Sequence, residues 1–106
     1  MDDDKFFSLL GLCRRAGRLS LGHDASIGSI RNKTAKLCIL SSDSSERLYS
    51  EILHEINHLN QDLPVIRLKQ NMNEIGYAVG LKSAVLTVND EGFAKKLISF
   101  ISFQQV

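Results

Sequence analysis

The stretch that decides the fold is residues 37–45, which read Leu-Cys-Ile-Leu-Ser-Ser-Asp-Ser-Ser. Its first four residues are all apolar, which is typical of a strand that is covered on both faces. The polar run after them is rich in helix-capping residues, so we expect a helix to begin near Ser45 and to run to about Asn60. A buried strand that leads directly into an amphipathic helix indicates an α/β protein.

The same alternation extends in both directions from this stretch. Further helices are predicted at residues 5–16, 23–32, 71–79 and 91–102, and further strands at 19–21, 63–66 and 84–88. Gly22 and Gly80 mark turns, while Asn71 and either Asn89 or Asp90 are predicted helix caps. We therefore predict a three-layer α/β/α sandwich around a central, mostly parallel, mixed sheet of about four strands.

Length and composition are those of an ordinary globular domain. The chain has 106 residues, of which 43% are hydrophobic and 24% charged, so we expect one domain with one core. Its apolar runs are much shorter than the roughly 18 residues of a membrane span, and its acidic start is unlike a secretion signal. We expect a cytoplasmic protein that does not enter a membrane and that has a flexible acidic segment at residues 1–5.

Motifs for catalysis give little support to an enzyme. The chain has no P-loop, no G-x-G-x-x-G and no G-x-S-x-G pattern. Cys13 and Cys38 each lie within an apolar stretch, which indicates buried thiols and neither a disulfide nor a metal site. We expect no catalytic residue, no cofactor and no metal.

One motif points to a different function. Residues 54–58, His-Glu-Ile-Asn-His, fit the pattern H-E-x-x-H, in which two histidines bind zinc and the glutamate acts as general base. A catalytic zinc needs a third protein ligand, and no other residue is clearly placed to be one. We place His54, Glu55 and His58 on the solvated face of their helix. A zinc hydrolase is therefore kept as a third alternative only.

The basic residues are concentrated in the N-terminal third of the chain. Residues 5–36 contain seven Lys and Arg and a single acid, whereas residues 37–106 contain six bases and eight acids. This asymmetry favours a polyanionic partner, although a merely solvated basic surface is the alternative. The basic stretch also contains Gly22 and a helix start, whose free N–H groups and positive field favour phosphates. The turn at residues 80–84 can cover or stack an extruded nucleotide if the sheet places it near Gly22, and is otherwise an ordinary loop.

Six segments of the chain carry a family resemblance through their order and spacing. They are residues 9–19 (LLGLCRRAGRL), 22–33, 35–45, 63–65, 75–80 (IGYAVG) and 88–97 (VNDEGFAKKL). Together they resemble the L7Ae/L30e superfamily of RNA-binding ribosomal proteins, most closely its small bacterial members of the YlxQ type, over about residues 6–102. The resemblance implies an α/β/α sandwich that binds a kink-turn, which is a sharply bent RNA motif with tandem sheared G·A pairs.

The family pattern that contacts the G·A pairs is G-x-N-E-x-x-K, and this chain departs from it. Residues 22–28 read Gly-His-Asp-Ala-Ser-Ile-Gly. Gly22 is kept, but Asp24, Ala25 and Gly28 replace Asn, Glu and Lys. Asp24 can still accept hydrogen bonds but cannot donate them. The loss of two polar base contacts would lower discrimination by roughly 2–6 kcal/mol.

We therefore predict a non-enzymatic RNA-binding protein, ribosome-associated or acting near translation, and a monomer when free. Its partner would be structured RNA, such as ribosomal RNA or a kink-turn, with ribosomal or translation proteins as further partners. The predicted main surface, in which Arg31 supplies a phosphate contact, consists of Gly22, His23, Asp24, Gly28, Arg31, Lys33 and Lys36. The predicted side loop consists of Leu81, Lys82 and Ser83, and further candidates whose face the sequence leaves open are Arg14, Arg15 and Arg18. The alternative is a protein-interaction module on the same fold with weakened RNA binding and a shallower salt dependence.

Overall fold

The computed structural model describes residues 3–102. Helices and strands alternate through these residues, in the order α1 (Asp3–Arg15), β1 (Leu19–Leu21), α2 (His23–Arg31), β2 (Leu37–Leu40), α3 (Glu46–His58), β3 (Val65–Arg67), α4 (Met72–Val79), β4 (Val85–Val88) and α5 (Glu91–Ser102). All of the predicted elements are present. None of the helices in residues 3–102 has the length and apolar character that crossing a membrane requires.

The four strands form one mixed sheet in the order β1-β4-β2-β3. Only β2 and β3 are parallel neighbours, whereas β4 is antiparallel to both β1 and β2. The predicted four-stranded mixed sheet is therefore confirmed, but the prediction that it is mostly parallel is wrong. The strand β4, which is antiparallel to both of its neighbours, lies in the interior of the sheet.

Strand β4 is antiparallel because the connection through α4 returns the chain to the same strand ends from which β3 left the sheet. Ser42 N–H donates to Gln70 O after the end of β3, and Ser41 N–H donates to Ala84 O just before the start of β4. Both contacts lie at the ends of the parallel pair of strands. Because β4 begins where β2 and β3 end, it must run in the opposite direction to them.

Helices cover both faces of the sheet, which confirms the three-layer arrangement. Leu37 and Ile39 of β2 face a core that α1, α4 and α5 complete, with Phe6, Leu10, Ile75 and Leu97 among its fully buried members. Cys38 and Leu40 alternate to the other face, where Ile27 and Ile30 of α2 and Ile52 and Ile56 of α3 cover them. The unbroken apolar run of β2 is explained by this double coverage.

The predicted helix ends are confirmed where a side chain defines them. Ser45 accepts a hydrogen bond from Leu48 N–H, and Asn71 forms a capping box with Glu74. Asp90 caps α5 by accepting from Phe93 N–H at 2.8 Å.

The acidic start of the chain differs from its prediction. Asp3 is already helical, and its carboxylate accepts a hydrogen bond from Gln70 Nε2 at 3.0 Å and lies 3.6 Å from Lys69 Nζ. Residues 3–5 are therefore part of α1 and the prediction of a flexible segment is wrong for them. Negative charge in the first turn interacts favourably with the helix dipole and stabilises the start of α1. The contacts of Asp3 with the segment before α4 hold this helix start in place. Residues 1 and 2 lie outside the described residues.

Both cysteines are buried free thiols, as predicted. Burial raises the pKa of Cys13 to about 11 and that of Cys38 to about 12. Both thiols therefore stay protonated at neutral pH, which makes them poor nucleophiles and poor metal ligands.

Candidate RNA interface

Two predicted elements meet at one edge of the sheet. Gly22 follows β1, and its N–H donates to Val85 O in β4 at 2.9 Å. The turn that leads into β4 therefore lies directly beside Gly22. This proximity was the condition under which the turn was predicted to cover or stack an extruded nucleotide. We call residues 22–24 and 80–84 the glycine edge.

Gly22 holds a backbone conformation that other residues rarely adopt. Its φ of 91° and ψ of 175° lie in a region that is essentially restricted to glycine. A Cβ there would meet nothing within 4 Å, so the requirement comes from the backbone and not from crowding. No side chain caps the first turn of α2 after it. The first N–H groups of α2 thus lack an intrahelical acceptor, which is the usual basis of anion binding at a helix start.

The side chains at this helix start are acidic or paired. His23 Nε2 lies 2.8 Å from Glu51 Oε2 of α3, and His23 Nδ1 lies 3.1 Å from Asp24 Oδ1. Hydrogen bonds with Asp24 and Glu51 raise the pKa of His23 above its ordinary value. The Asp24 and Ala25 side chains are exposed, and open space surrounds the Cβ position of Gly28. The residues that depart from the family pattern therefore all lie where larger side chains would fit.

The second part of the glycine edge is the loop after α4. Gly80 ends α4 in a left-handed conformation with φ 83°. Leu81 is 52% exposed and Lys82 is exposed, whereas Ser83 is only 4% exposed and its hydroxyl has no protein partner. The Ser83 side chain is therefore not exposed with those of Leu81 and Lys82, because the chain turns inward there to begin β4, and its predicted contact with RNA stays a prediction.

The three arginines at the end of α1 and just after it lie in different places. Arg14 donates from Nη1 to Val79 O at the end of α4, and a Cβ on Gly80 would clash with its guanidinium. Arg15 lines a groove between α1 and α4. Arg18 lies at the strand ends opposite Gly22, where its carbonyl oxygen accepts a hydrogen bond from Asn89 N–H. Only Arg14 therefore belongs next to the glycine edge.

The predicted main surface is divided between two sides of the molecule. Lys36 N–H donates to Val88 O at the end of β4, on the side where Arg18 lies, and Lys33 follows the far end of α2. We call Arg18, Lys33 and Lys36 the opposite edge. The nine residues of α2 carry the chain about 13 Å from Gly22 toward Lys33 and Lys36, and the predicted binding of these lysines to the same RNA stays a prediction.

Arg31 is also turned away from the glycine edge. Its Nη2 lies 2.5 Å from Glu55 Oε1 of α3, and Nε donates to the same oxygen at 3.2 Å. This pairing lowers the pKa of Glu55 and raises that of Arg31. Arg31 therefore occupies the boundary between α2 and α3, and its role as a phosphate contact stays a prediction.

The histidines of the H-E-x-x-H motif lie on the exposed face of α3, as expected. The rings of His54 and His58 stack with centroids 6.3 Å apart. Glu55 differs from its prediction, because it points toward α2 and is held by Arg31, where a solvated position had been expected. Within residues 3–102, no group of three His, Cys, Asp or Glu side chains is arranged to hold a metal ion.

A polar network beneath α2 was not found from the sequence. Ser20 Oγ lies 2.5 Å from Ser29 Oγ and accepts from Asn89 Nδ2 at 2.8 Å, and Thr87 Oγ1 donates to Asn89 Oδ1 at 2.9 Å. These contacts hold α2 against β1 and β4 and so help to orient its uncapped start. The available signal was Ser29, which interrupts the inward face of α2.

Comparisons with known proteins agree with this geometry. Residues 4–98 match the model of the ribosomal protein L7Ae/L30e/S12e/Gadd45 family. The chain is 33% identical to the RNA-binding protein YlxQ of Bacillus subtilis (strain 168) over 102 residues, which cover 95% of this chain and 99% of that protein. It is 33% identical to the RNA-binding protein YlxQ of Enterococcus faecium over 92 residues, covering 87% and 86% of the two chains.

Two solved structures have the same fold. A protein of unknown function from Bacillus halodurans superposes with a TM-score of 0.82 at 31% identity, over 92% of this chain and 97% of that one. The Giardia lamblia 15.5kD RNA binding protein superposes with a TM-score of 0.71 at 12% identity, over 94% and 87%. Since the family match spans nearly all of the described residues and both curated relatives exceed 30% identity, the chain belongs to the ribosomal protein L7Ae/L30e/S12e/Gadd45 family.

Proposed function

We propose that this chain is a non-enzymatic protein that binds structured RNA at the glycine edge. The observation that carries the proposal is the hydrogen bond from Gly22 to Val85, because it holds an uncapped helix start beside the exposed Leu81 and Lys82. The names of the two curated relatives, both RNA-binding proteins, support it. We further propose that it acts in the cytoplasm as a monomer when free, near translation or on the ribosome.

Each part of the glycine edge has a distinct role in this proposal. The first N–H groups of α2 bind a phosphate, because they are uncapped and lie at the positive end of the helix dipole. Lys82 neutralises a second phosphate, since within residues 3–102 no carboxylate pairs with it. Leu81 covers an extruded nucleotide, because more than half of its surface is accessible.

The kink-turn is the RNA motif that we propose first, with weaker discrimination than the complete family pattern would give. Asp24 and Ala25 lie at the exposed start of α2, where the G·A pairs would be read, but neither offers a hydrogen-bond donor. Binding then depends mainly on phosphate contacts and on the shape of the bend. We expect recognition of a bent, structured RNA with limited dependence on its bases.

Affinity measurements on paired RNAs test this proposal. The chain should bind a kink-turn RNA more tightly than a fully paired duplex of equal length, and its affinity should fall steeply between 50 and 200 mM salt. Replacing the tandem G·A pairs with Watson–Crick pairs removes the bend and should weaken binding. Equal binding to the kink-turn and to the duplex would overturn the kink-turn part, and no binding to either would overturn the RNA-binding proposal.

A protein-interaction module is the second candidate, and one observation favours it. Two side chains of α2 that the sequence predicted as RNA contacts, His23 and Arg31, are paired with Glu51 and Glu55 of α3. These pairs reduce the positive charge that α2 presents. Crosslinking in cells separates the two functions, because RNA binding predicts recovery of RNA above background, whereas the interaction module predicts recovery of a protein only.

A further inference from the structure

Tyr77 is exposed to a degree that packing does not explain. It lies on α4 between the buried Ile75 and Val79, and 90% of its surface is accessible. Among residues 3–102 its ring and hydroxyl have neither a hydrogen-bond partner nor a ring contact. Tyr49, the other tyrosine, is partly buried with Arg67 5.1 Å from its ring centroid. Its ring therefore offers an apolar face and a polar tip to a ligand.

Clefts lie on both sides of the Tyr77 ring. One is the groove between α1 and α4, with a volume of about 750 Å³, which Phe7, Gly11 and Arg15 also line. The other has a volume of about 400 Å³ and is lined by Leu81 and Lys82 of the glycine edge. Either cleft is large enough for a planar base, and the second joins Tyr77 to the glycine edge.

The charge along these clefts has a direction. Helices α1 and α4 run side by side in the same direction, since Asp3 contacts Gln70 at their starts and Arg14 contacts Val79 at their ends. Acidic side chains lie at the starts, where Glu74 belongs to the capping box. The basic side chains of Arg14, Arg15 and Lys82 lie toward the ends.

The stem of the Lys82 side chain packs against α4 next to Tyr77. Its side-chain stem lies against Gly76, so close that a Cβ there would be 3.3 Å from Lys82 Cγ. Tyr77 follows Gly76 in α4, and both Tyr77 and Lys82 line the smaller cleft. Since no carboxylate of residues 3–102 pairs with Arg15 or Lys82, both can neutralise a phosphate.

We propose that Tyr77, Arg15 and Lys82 form a stacking site for an unpaired nucleotide of an RNA strand that leaves the glycine edge. The base stacks on the exposed ring, and its phosphates lie toward the basic ends of α1 and α4. Stacking of this kind tolerates any base, because every base has a π-face. The inference rests on the proposed function, as the same RNA must occupy both positions. It assigns to α4 a binding role that the glycine edge does not include.

Two RNAs that differ only in their ends test the inference. One is a kink-turn hairpin with blunt ends, and the other carries four unpaired adenines at both ends. The chain should bind the extended RNA at least about tenfold more tightly. Tyr77→Leu should abolish this gain and leave the affinity for the blunt RNA unchanged, whereas Tyr77→Phe should keep the gain because it keeps the ring. Because the position is exposed, neither variant should disturb folding.

A direct signal comes from tyrosine fluorescence, because the chain has no tryptophan and only two tyrosines. In a Tyr49→Phe variant all of the tyrosine emission comes from Tyr77, and stacking of an adenine should quench it with the extended RNA but not with the blunt one. Equal affinity of the unaltered chain for both RNAs, without quenching, would overturn the stacking site and leave the proposed function intact. Failure to bind either RNA would overturn both.

A protein partner is the competing occupant of this surface. A photo-crosslinking phenylalanine analogue in place of Tyr77 should yield adducts that ribonuclease shortens. Adducts that resist ribonuclease and contain a second protein would overturn the stacking site.

Discussion

The glycine edge has an uncapped helix start next to the glycine-specific turn at Gly22, but the side chains at that helix start are acidic or paired. The opposite edge, in contrast, is defined by the basic side chains of Arg18, Lys33 and Lys36. Gly22 holds its special conformation through a bond to β4, while His23 is paired with Glu51. Lys33 and Lys36 at the opposite edge have no carboxylate partner within residues 3–102. In the proposed mode of binding, the helix start that would select an RNA shape thus lies apart from Lys33 and Lys36, whose charge would attract any RNA.

This separation is consistent with the departures from the family pattern. The side chains that would add specific contacts at the start of α2 are absent, and the unpaired basic side chains lie in the loop at Lys82 and at the opposite edge. We expect changes at the glycine edge to alter which RNA is bound, and changes at the opposite edge to alter how strongly all RNAs are bound.

The largest expected effect comes from restoring the family pattern. The triple variant Asp24→Asn, Ala25→Glu, Gly28→Lys should improve discrimination between a kink-turn and the same RNA without G·A pairs by roughly 2–6 kcal/mol, through two or more recovered base contacts. Space for the new side chains is available. Gly28→Lys alone is the control for the added charge, and it should recover less of the discrimination than the triple variant. Unchanged discrimination in the triple variant would mean that the glycine edge does not read the G·A pairs.

The next effect concerns the shape of the glycine edge. Gly22→Ala should lower the free energy of unfolding by about 1–3 kcal/mol, because alanine is strained at φ 91° and ψ 175°. The matched control is Gly28→Ala, which lies in a helical, uncrowded position and should raise that free energy by up to about 1 kcal/mol. Urea denaturation of the two variants measures both changes. Equal stability of Gly22→Ala and the unaltered chain would contradict a turn that requires glycine.

A smaller effect is expected from the opposite edge. Lys33→Gln and Lys36→Gln should weaken binding of kink-turn and duplex RNA alike, and each should reduce the salt dependence of the affinity by about one phosphate contact. Lys96→Gln on α5, whose ammonium lies 5.5 Å from the Phe100 ring centroid, is the control and should change neither property. If Lys33→Gln altered discrimination between the RNAs, the two edges would not have separate roles.

The smallest effect is the pH dependence of the His23 pair. Hydrogen bonds with Asp24 and Glu51 raise the pKa of His23, so the protonated imidazole is favoured in the folded chain. The resulting stabilisation of the folded chain is complete at pH values below the pKa that His23 has in the unfolded chain. It is lost as the pH rises through the pKa that His23 has in the folded chain. We expect it to stay below about 1 kcal/mol, as for other surface pairs. An NMR titration should give a His23 pKa above 6.5 that Glu51→Gln lowers, and an unchanged value in that variant would show that the pair does not form.

The sequence predicted the features of the site that depend on residues close together in the chain, and it missed those that depend on residues far apart. The exposure of Leu81 and Lys82 and the helix start at His23 followed from turn residues and periodicity. The inward turn of Ser83 could not be predicted, because it depends on where β4 enters the sheet. The pairing of Arg31 with Glu55 was also missed, since these side chains are 24 positions apart and meet only when α2 and α3 pack together.

The sequence by itself determined the alternation of helices and strands, the caps at Ser45 and Asn71, the glycine at position 22 and the family. These depend on interactions within a few residues of the chain or on an ordered set of short motifs. The tertiary structure alone decided that β4 lies antiparallel in the centre of the sheet, and that the basic third of the chain is divided between two edges. Both follow from the path of the connections, because α4 returns the chain to the edge it left while α2 carries it across to the other side.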